Sequence, residues 1–261
     1  MSLEKNKEFF DLLENVAQQQ ALRILSLEGQ EVTYKVLTTA QLKAIIQTVV
    51  DDSSAQLNFH SAVYEIMKQN VQQPFKPIET FNIVDKLFFI IENRIKAVSP
   101  TLFIRGDEDD SFVPVDLGAV QSKLKELVLT KKAQLQDRTV GDETISLTVG
   151  IPLIETEKLV NEAVYDKLNV EAENSQLIEE VLGTAFLLEI CKWIKEISVL
   201  GQTLTLQDLS LEERIEAIKR IPASNIEKAI DYIETTKQEI DACLTVSDKL
   251  LPLNGTLFSV R

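Results

Sequence analysis

The sequence predicts an α+β protein in which mostly helical N- and C-terminal parts enclose a β-rich middle region. Three observations carry this reading. Apolar residues recur at helical spacing over most of 1–99 and 152–261, whereas period-two alternation marks a hairpin near the start and the strands of 100–151. With 44% hydrophobic and 26% charged residues and only 8 Gly and 7 Pro in 261, the chain has the balance of a folded globular protein. The expected division is therefore 1–99 (helical, with an N-terminal β-hairpin), 100–151 (β-rich) and 152–261 (helical).

From Leu3 to Gln20 the stripe Phe9, Leu12, Leu13, Val16 and Ala17 predicts a helix. The period then changes. Val32, Tyr34 and Val36 alternate with Thr33 and Lys35, so a hairpin turning at Gly29 is expected. Thr38 and Gln41 have capping-box spacing ahead of Leu42, Ile45, Ile46, Val49 and Val50. The next helix carries Phe59, Val63, Ile66 and Met67 and is broken by Pro74 and Pro77. From Asn82 to Val98 the apolar face is Val84, Leu87, Phe88, Ile91, Ile95 and Val98, with Arg94 on its flank beside Ile83 and Ile90. An arginine there is expected to be paired or stacked and to lock the helix in place; the alternative is a stem on apolar surface with its head in water.

Pro100 ends that helix, and Thr101–Arg105 and Phe112–Leu117 are expected as strands joined through Gly106-Asp107-Glu108-Asp109-Asp110. Leu124, Leu127 and Leu129 fit helix or strand, and Thr144–Val149 is a strand entered through a turn at Gly141-Asp142. Leu159, Val160, Ala163, Val164 and Leu168 mark another helix. A long one is expected from about Ser175 to Leu200, apolar first on the side of Ile178, Val181, Leu182 and Ala185, then on the opposite side with Leu187, Ile190, Ile194 and Ile197. Its two faces make Trp193, Ile190, Ile194 and Ile197 candidate partner contacts, unless the β-rich middle covers one face and the terminal helices the other. Ser210 with Glu213 and Ser224 with Glu227 have capping-box spacing on either side of Ile221-Pro222, predicting two short helices with a defined corner. Ile226, Ile230, Ile233 and Ile240 stripe the second. After Asn254-Gly255, Thr256–Val260 is expected as a strand.

The chemistry-bearing residues are sparse. His60 is the only histidine, which leaves a triad one base and removes nearly every imidazole zinc site. Cys191 sits among apolar residues as an inert thiol, and Cys243 is placed where it could be exposed. Asp107 to Asp110 fail the calcium-loop spacing, since its sixth and twelfth places are Phe112 and Gly118. A solvated hairpin tip is the expected reading, with weak ion binding or electrostatic contact with a basic partner as the alternatives. There is no Gly-x-Gly pair and no P-loop triplet. Acidic residues outnumber basic ones 41 to 27, for a net charge of −14, and Lys131-Lys132 is the densest basic pair, so nucleic acid is not an expected partner. No apolar run is long enough to span a membrane, and Met1 to Phe10 lack a signal core. These features predict a cytoplasmic, non-enzymatic protein with no catalytic, cofactor or metal site.

At Leu37-Thr38-Thr39-Ala40-Gln41-Leu42-Lys43, then Ile45, Ile46, Val49-Val50-Asp51 and Phe59, the sequence resembles the baseplate hub assembly proteins of T-even-type contractile-tailed bacteriophages. The resemblance continues at Asp85, Leu87, Ile90, Ile91, Arg94 and Ile95, at Ile218 and Ile221-Pro222-Ala223, and at Gly255-Thr256-Leu257-Phe258-Ser259. These patches follow the family's order over nearly the whole chain and are weakest from Pro100 to Leu153. The resemblance implies a non-enzymatic role in building the central hub, as an assembly chaperone in the bacterial host cytoplasm or as a minor subunit retained in the virion baseplate. Its implied partners are baseplate hub or tail proteins, with self-association a further option. A regulatory domain unrelated to tails is the remaining alternative.

Overall fold

The computed structural model describes Leu13, Val16 and residues 20–49, 55–73, 77–105, 112–171 and 175–258, without the side chains of 55–56, 73 and 167–182. The expected helix from Leu3 to Gln20 lies outside these apart from Leu13 and Val16, which are helical and exposed, and Gln20 itself, which forms a bend. Asp107 to Asp110 also lie outside them. The fold is α+β, with several small antiparallel sheets set among helices.

The chain forms two compact units, one of residues 1–125 and 244–261, the other of 126–243. The expected division into 1–99, 100–151 and 152–261 is not the one found, because the middle region is shared: its first hairpin belongs to the first unit and its second to the other.

In the first unit β1 (Ala21–Leu25) and β2 (Glu31–Lys35) form the expected hairpin. Gly29 turns it at φ +78°, a backbone state that side chains with a Cβ rarely adopt. Leu22, Ile24, Val32 and Tyr34 share its buried face, as period-two alternation requires. Helix α1 (Thr39–Gln47) opens with the reciprocal Thr38–Gln41 capping box. Helix α2 (Ala55–Asn70) follows, and after it β3 (Val71–Gln73) adds a third strand against β2 that the sequence did not announce. Helix α3 (Ile83–Ala97) is the centre of this unit: Asn82 caps it, and Val84, Phe88, Phe89, Ile90 and Ile91 are all almost wholly buried. Strands β4 (Thr101–Arg105) and β5 (Phe112–Asp116) pair as expected. The ambiguous Leu124–Leu129 stretch is helical, within α4 (Leu117–Thr130). Leu117, Val120, Leu124, Leu127 and Val128 are buried at three- and four-residue spacing while Leu129 is 68% exposed, so the middle is not purely β.

The second unit contains a four-stranded sheet, β6 (Arg138–Gly141), β7 (Ile145–Val149), β8 (Ile194–Val199) and β9 (Gln202–Thr205), in that spatial order. Helix α5 (Ile154–Glu171) and helix α6 (Ser175–Trp193) connect its halves and pack on each other. The long helix expected to reach Leu200 therefore stops at Trp193. Ile194 and Ile197 stand at helical spacing, and pairing of Val149 with Ile194 and of Leu147 and Leu204 with Ile197 decides for strand, with a shift of register between Thr148 and Val149. Leu200 and Gly201, both at positive φ, make the two-residue turn into β9.

Helix α7 (Leu211–Lys219) starts with the Ser210–Glu213 capping box. Helix α8 (Ala223–Leu244) runs 22 residues and is not short. It begins at Ala223, with the N–H groups of Asn225 and Ile226 donating to the Pro222 carbonyl, so Ser224 is already helical and is not a cap. Proline with its fixed φ starts the helix two residues earlier than serine spacing suggests.

The chain then returns to the first unit through a small hairpin, β10 (Thr245–Val246) and β11 (Lys249–Leu250). Residues 255–258 form a 3-10 turn where a strand was expected. A Cβ on Gly255 would sit 2.6 Å from the Ile45 carbonyl and from Val49, so this segment is pressed flat against α1.

Candidate functional site

Several predicted residues prove to be parts of the cores. Trp193, Ile190, Ile194 and Ile197 are 1%, 3%, 3% and 7% exposed. They present no surface to a partner, because the helix they were placed on divides into helix and strand and both ends are covered. Lys237 stands 5.8 Å from the centre of the Trp193 ring and shares the Glu189 carboxylate with Lys192, at 2.6 and 2.5 Å. Burial would raise the Glu189 carboxyl, but these two ammonium groups outweigh it and hold it at about 2.

Arg94 is 3% exposed. Its Nε donates to the Leu257 carbonyl, Nη1 to the Ser99 carbonyl and Nη2 to the Thr101 carbonyl, the last at 3.3 Å. Burial lowers its affinity for the proton. It joins the end of α3, the start of β4 and the 255–258 turn in a single side chain. Asp85 does the same at the other end of that helix: Oδ1 accepts from the Leu27 N–H at 2.7 Å and Oδ2 from the Asn82 N–H at 3.1 Å.

His60 lies half-buried on α2 with Nδ1 3.0 Å from Lys86 Nζ. Cys191 is buried, which pushes its thiol up to about 12. Cys243, expected to be exposable, is also buried, and its Sγ lies 3.4 Å from the Glu239 carbonyl. Among the described residues no three His, Cys, Asp or Glu side chains stand together as a metal site would require.

A feature open to a ligand belongs to the second unit and was not foreseen. It is a cleft of about 870 Å³ between residues 133–141 and one side of α8. Three contacts fix the relation of its walls. Lys131 Nζ meets Glu239 Oε2 at 2.5 Å, Tyr232 Oη donates to the Gln136 carbonyl at 3.0 Å and Asn225 Nδ2 to the Ile145 carbonyl at 2.9 Å. Helix number falls as strand number rises, so α8 runs antiparallel to this segment.

Strand β6 is the edge of its sheet. The Asp142 N–H donates to the Ile145 carbonyl at 2.9 Å. Counting back along an antiparallel ladder, Val140 and Arg138 exchange hydrogen bonds with Leu147 and Val149, and the main-chain groups of Thr139 and Gly141 turn away from β7. Both residues line the cleft, and their outward N–H and C=O have no partner among the described residues. On the helix side Tyr232 and Thr236 are buried and form the floor, while Lys228, Asp231 and Thr235 form the rim.

The charges are unevenly matched. Asp137 is paired with Lys195 at 2.6 Å and Glu239 with Lys131. Arg138 and Asp231 have no oppositely charged group at ion-pair distance among the described residues, and Lys228 lies in the field of Asp142, whose carboxyl is held down first by the Ile145 and Thr144 N–H groups and also by this ammonium. Burial raises the Tyr232 hydroxyl, which stays protonated as a donor. The cleft is equipped to hold main-chain amides and charge. Its one sequence signal was the Gly141-Asp142 turn, since Val140 alone gives β6 no visible alternation.

No helix among the described residues is long and apolar enough to cross a membrane. Compared with protein-family models, with curated proteins and with solved structures, the chain has no match.

Proposed function

We propose that the protein is a non-enzymatic assembly factor for the central baseplate hub of a T-even-type contractile phage tail, acting as a chaperone on hub proteins in the bacterial host cytoplasm. The observation that supports this reading is where the resembling segments sit. Three of the four come together in the first unit. Gln41 exchanges hydrogen bonds with Asn70 at the end of α2, at 2.8 and 3.1 Å. Gly255 presses on α1, Arg94 holds Leu257, and the Phe59 and Phe258 rings stand 6.5 Å apart. Patches far apart in sequence thus form one connected frame, which is the pattern expected if they are inherited as a structural unit.

Deleting the reading frame from its phage provides the test. The expected outcome is tails arrested without a central hub, restored by expression in trans, with the protein missing from purified virions by mass spectrometry. A stoichiometric amount in virions would make it a minor structural subunit. Normal baseplates without it would overturn the proposal in favour of a regulatory role unrelated to tails.

A further inference from the structure

We infer that the β8–β9 hairpin tip of one molecule, with Leu200 at its apex, seats in an apolar hollow beside β4 of a second copy, so that copies associate head to tail. This goes beyond the baseplate reading and stands or falls without it.

The inference starts from a residue that breaks two local rules at once. Leu200 turns the hairpin at φ +49°, a left-handed backbone state that suits glycine or asparagine and strains a leucine. It is also 78% exposed. Neither property serves the chain's own stability, and a strained, solvated leucine that nothing in its own molecule offsets points to an outside contact. Its neighbours extend the feature. Val199 and Leu204 are exposed too, although strand alternation and pairing put both on the face of the buried Ile197. The apolar face of the sheet thus runs out uncovered at the corner where Leu200 stands. The Leu200 N–H donates to the Thr144 carbonyl at 3.0 Å, which ties the tip to the neighbouring turn.

The first unit has a hollow of matching chemistry. It holds about 420 Å³, ample for a leucine side chain, and its lining includes Val98, Leu102, Phe103 and Pro252 together with Arg94 and Arg105. Phe103 is more than half exposed, so this surface is uncovered as well. No carboxylate lines the hollow, and neither arginine is in an ion pair among the described residues. Beside the tip, the turn that carries Thr144 also carries Glu143, an exposed acid in no ion pair among the described residues, whereas Asp142 lies in the field of Lys228. An apolar knob flanked by an unmatched carboxylate and an apolar hollow lined by arginines therefore lie on the same chain. The knob belongs to one unit and the hollow to the other, so a contact between copies uses different surfaces on its two sides. The net charge of −14 sets two copies against each other at long range, but salt screens charges beyond about 8 Å at physiological strength and leaves the short-range contact to decide.

Sedimentation velocity on the full chain over a concentration series provides the test, and mass should grow with concentration. Leu200→Asn should weaken association by about tenfold or more. At concentrations where both chains are monomeric it should melt no lower than wild type, because asparagine accepts the left-handed turn. Phe103→Glu, at an exposed wall of the hollow, should also weaken association by about tenfold or more, with Arg105→Glu in its place should that variant not fold. The decisive measurement mixes the tip variant with the hollow variant. Each keeps one intact surface, so two chains that are monomeric alone should form one-to-one dimers together and stop there. A wild-type chain that stays monomeric, association indifferent to Leu200→Asn, or a mixture that stays monomeric overturns the inference. A monomeric Leu200→Asn chain that melts below wild type overturns it too, by making the leucine a stabiliser of its own hairpin. So does Leu200-dependent sedimentation with phosphatidylcholine–phosphatidylserine vesicles by a chain that does not self-associate, which assigns the tip to lipid.

Discussion

Arg94→Lys keeps the charge and most of the buried stem but replaces a three-way fork with a single ammonium. In the structure the fork spans carbonyls from three segments, Ser99, Thr101 and Leu257. An ammonium reaching from the same Cα can meet one or two of them. One charge-assisted hydrogen bond is then lost at about 1.5–3 kcal/mol, and a carbonyl at a site only 3% exposed is left without a donor, so the expected loss is about 3 kcal/mol. For a unit of this size that lowers Tm by roughly 6–12 °C. Circular dichroism melts give the shift, and amide exchange at Leu257, whose N–H donates to Asn254, reports whether the 255–258 turn has come loose. A melting temperature within a degree of wild type, with Leu257 still protected, would refute the reasoning and return Arg94 to a stem lying on apolar surface.

Trp193 fluorescence in the purified chain is expected to be blue-shifted and unquenched by iodide or acrylamide; red-shifted, quenchable emission would put the ring on a surface after all. Glu189→Gln is expected to cost less than about 1 kcal/mol at neutral pH, because the carboxylate is 37% exposed and solvent-screened. Its folded-state acidity is stronger than the ordinary value of 4.5, so its contribution is present above that pH and disappears as pH falls toward 2. Acid melts should show the variant losing less stability than wild type over that window. Gly255→Ala should destabilise by about 1–3 kcal/mol, since the new methyl meets the Ile45 carbonyl at 2.6 Å. Gly183→Ala, with nothing within 4 Å and helical surroundings, should stabilise by about 0.5–1 kcal/mol in the same melts.

Local signals were readable in the sequence and long-range ones were not. The Gly29 hairpin, the Asn82–Val98 helix and the capping boxes at Thr38 and Ser210 are decided within a few residues, and the structure has each of them. Where the deciding partner is distant, the reading failed. Ile194 and Ile197 become strand because Val149 and Leu147 lie opposite them, far away in sequence. The 255–258 turn replaces a strand because Gly255 must clear α1. Arg94 was recognised as a residue on the flank of a stripe, but its acceptors are carbonyls, which every residue possesses and no sequence distinguishes. The same holds for the cleft: unpaired groups on Thr139 and Gly141 are main-chain atoms, and only the position of β6 at the sheet edge leaves them open.

The discontinuous first unit bears on how the chain is made. Ile45 and Phe59 leave the ribosome long before Gly255 and Phe258, the residues that close over them, and the whole contiguous second unit is synthesised in between. Domains generally fold as units in the order they emerge, but here the earlier one has to wait. Closing so long a loop slows the search for native contacts, and the apolar side of α1 and α2 stays open while translation continues. The contacts made by Leu257 and Phe258 thus act as a completion signal: the first unit becomes fully buried only after the second has been built.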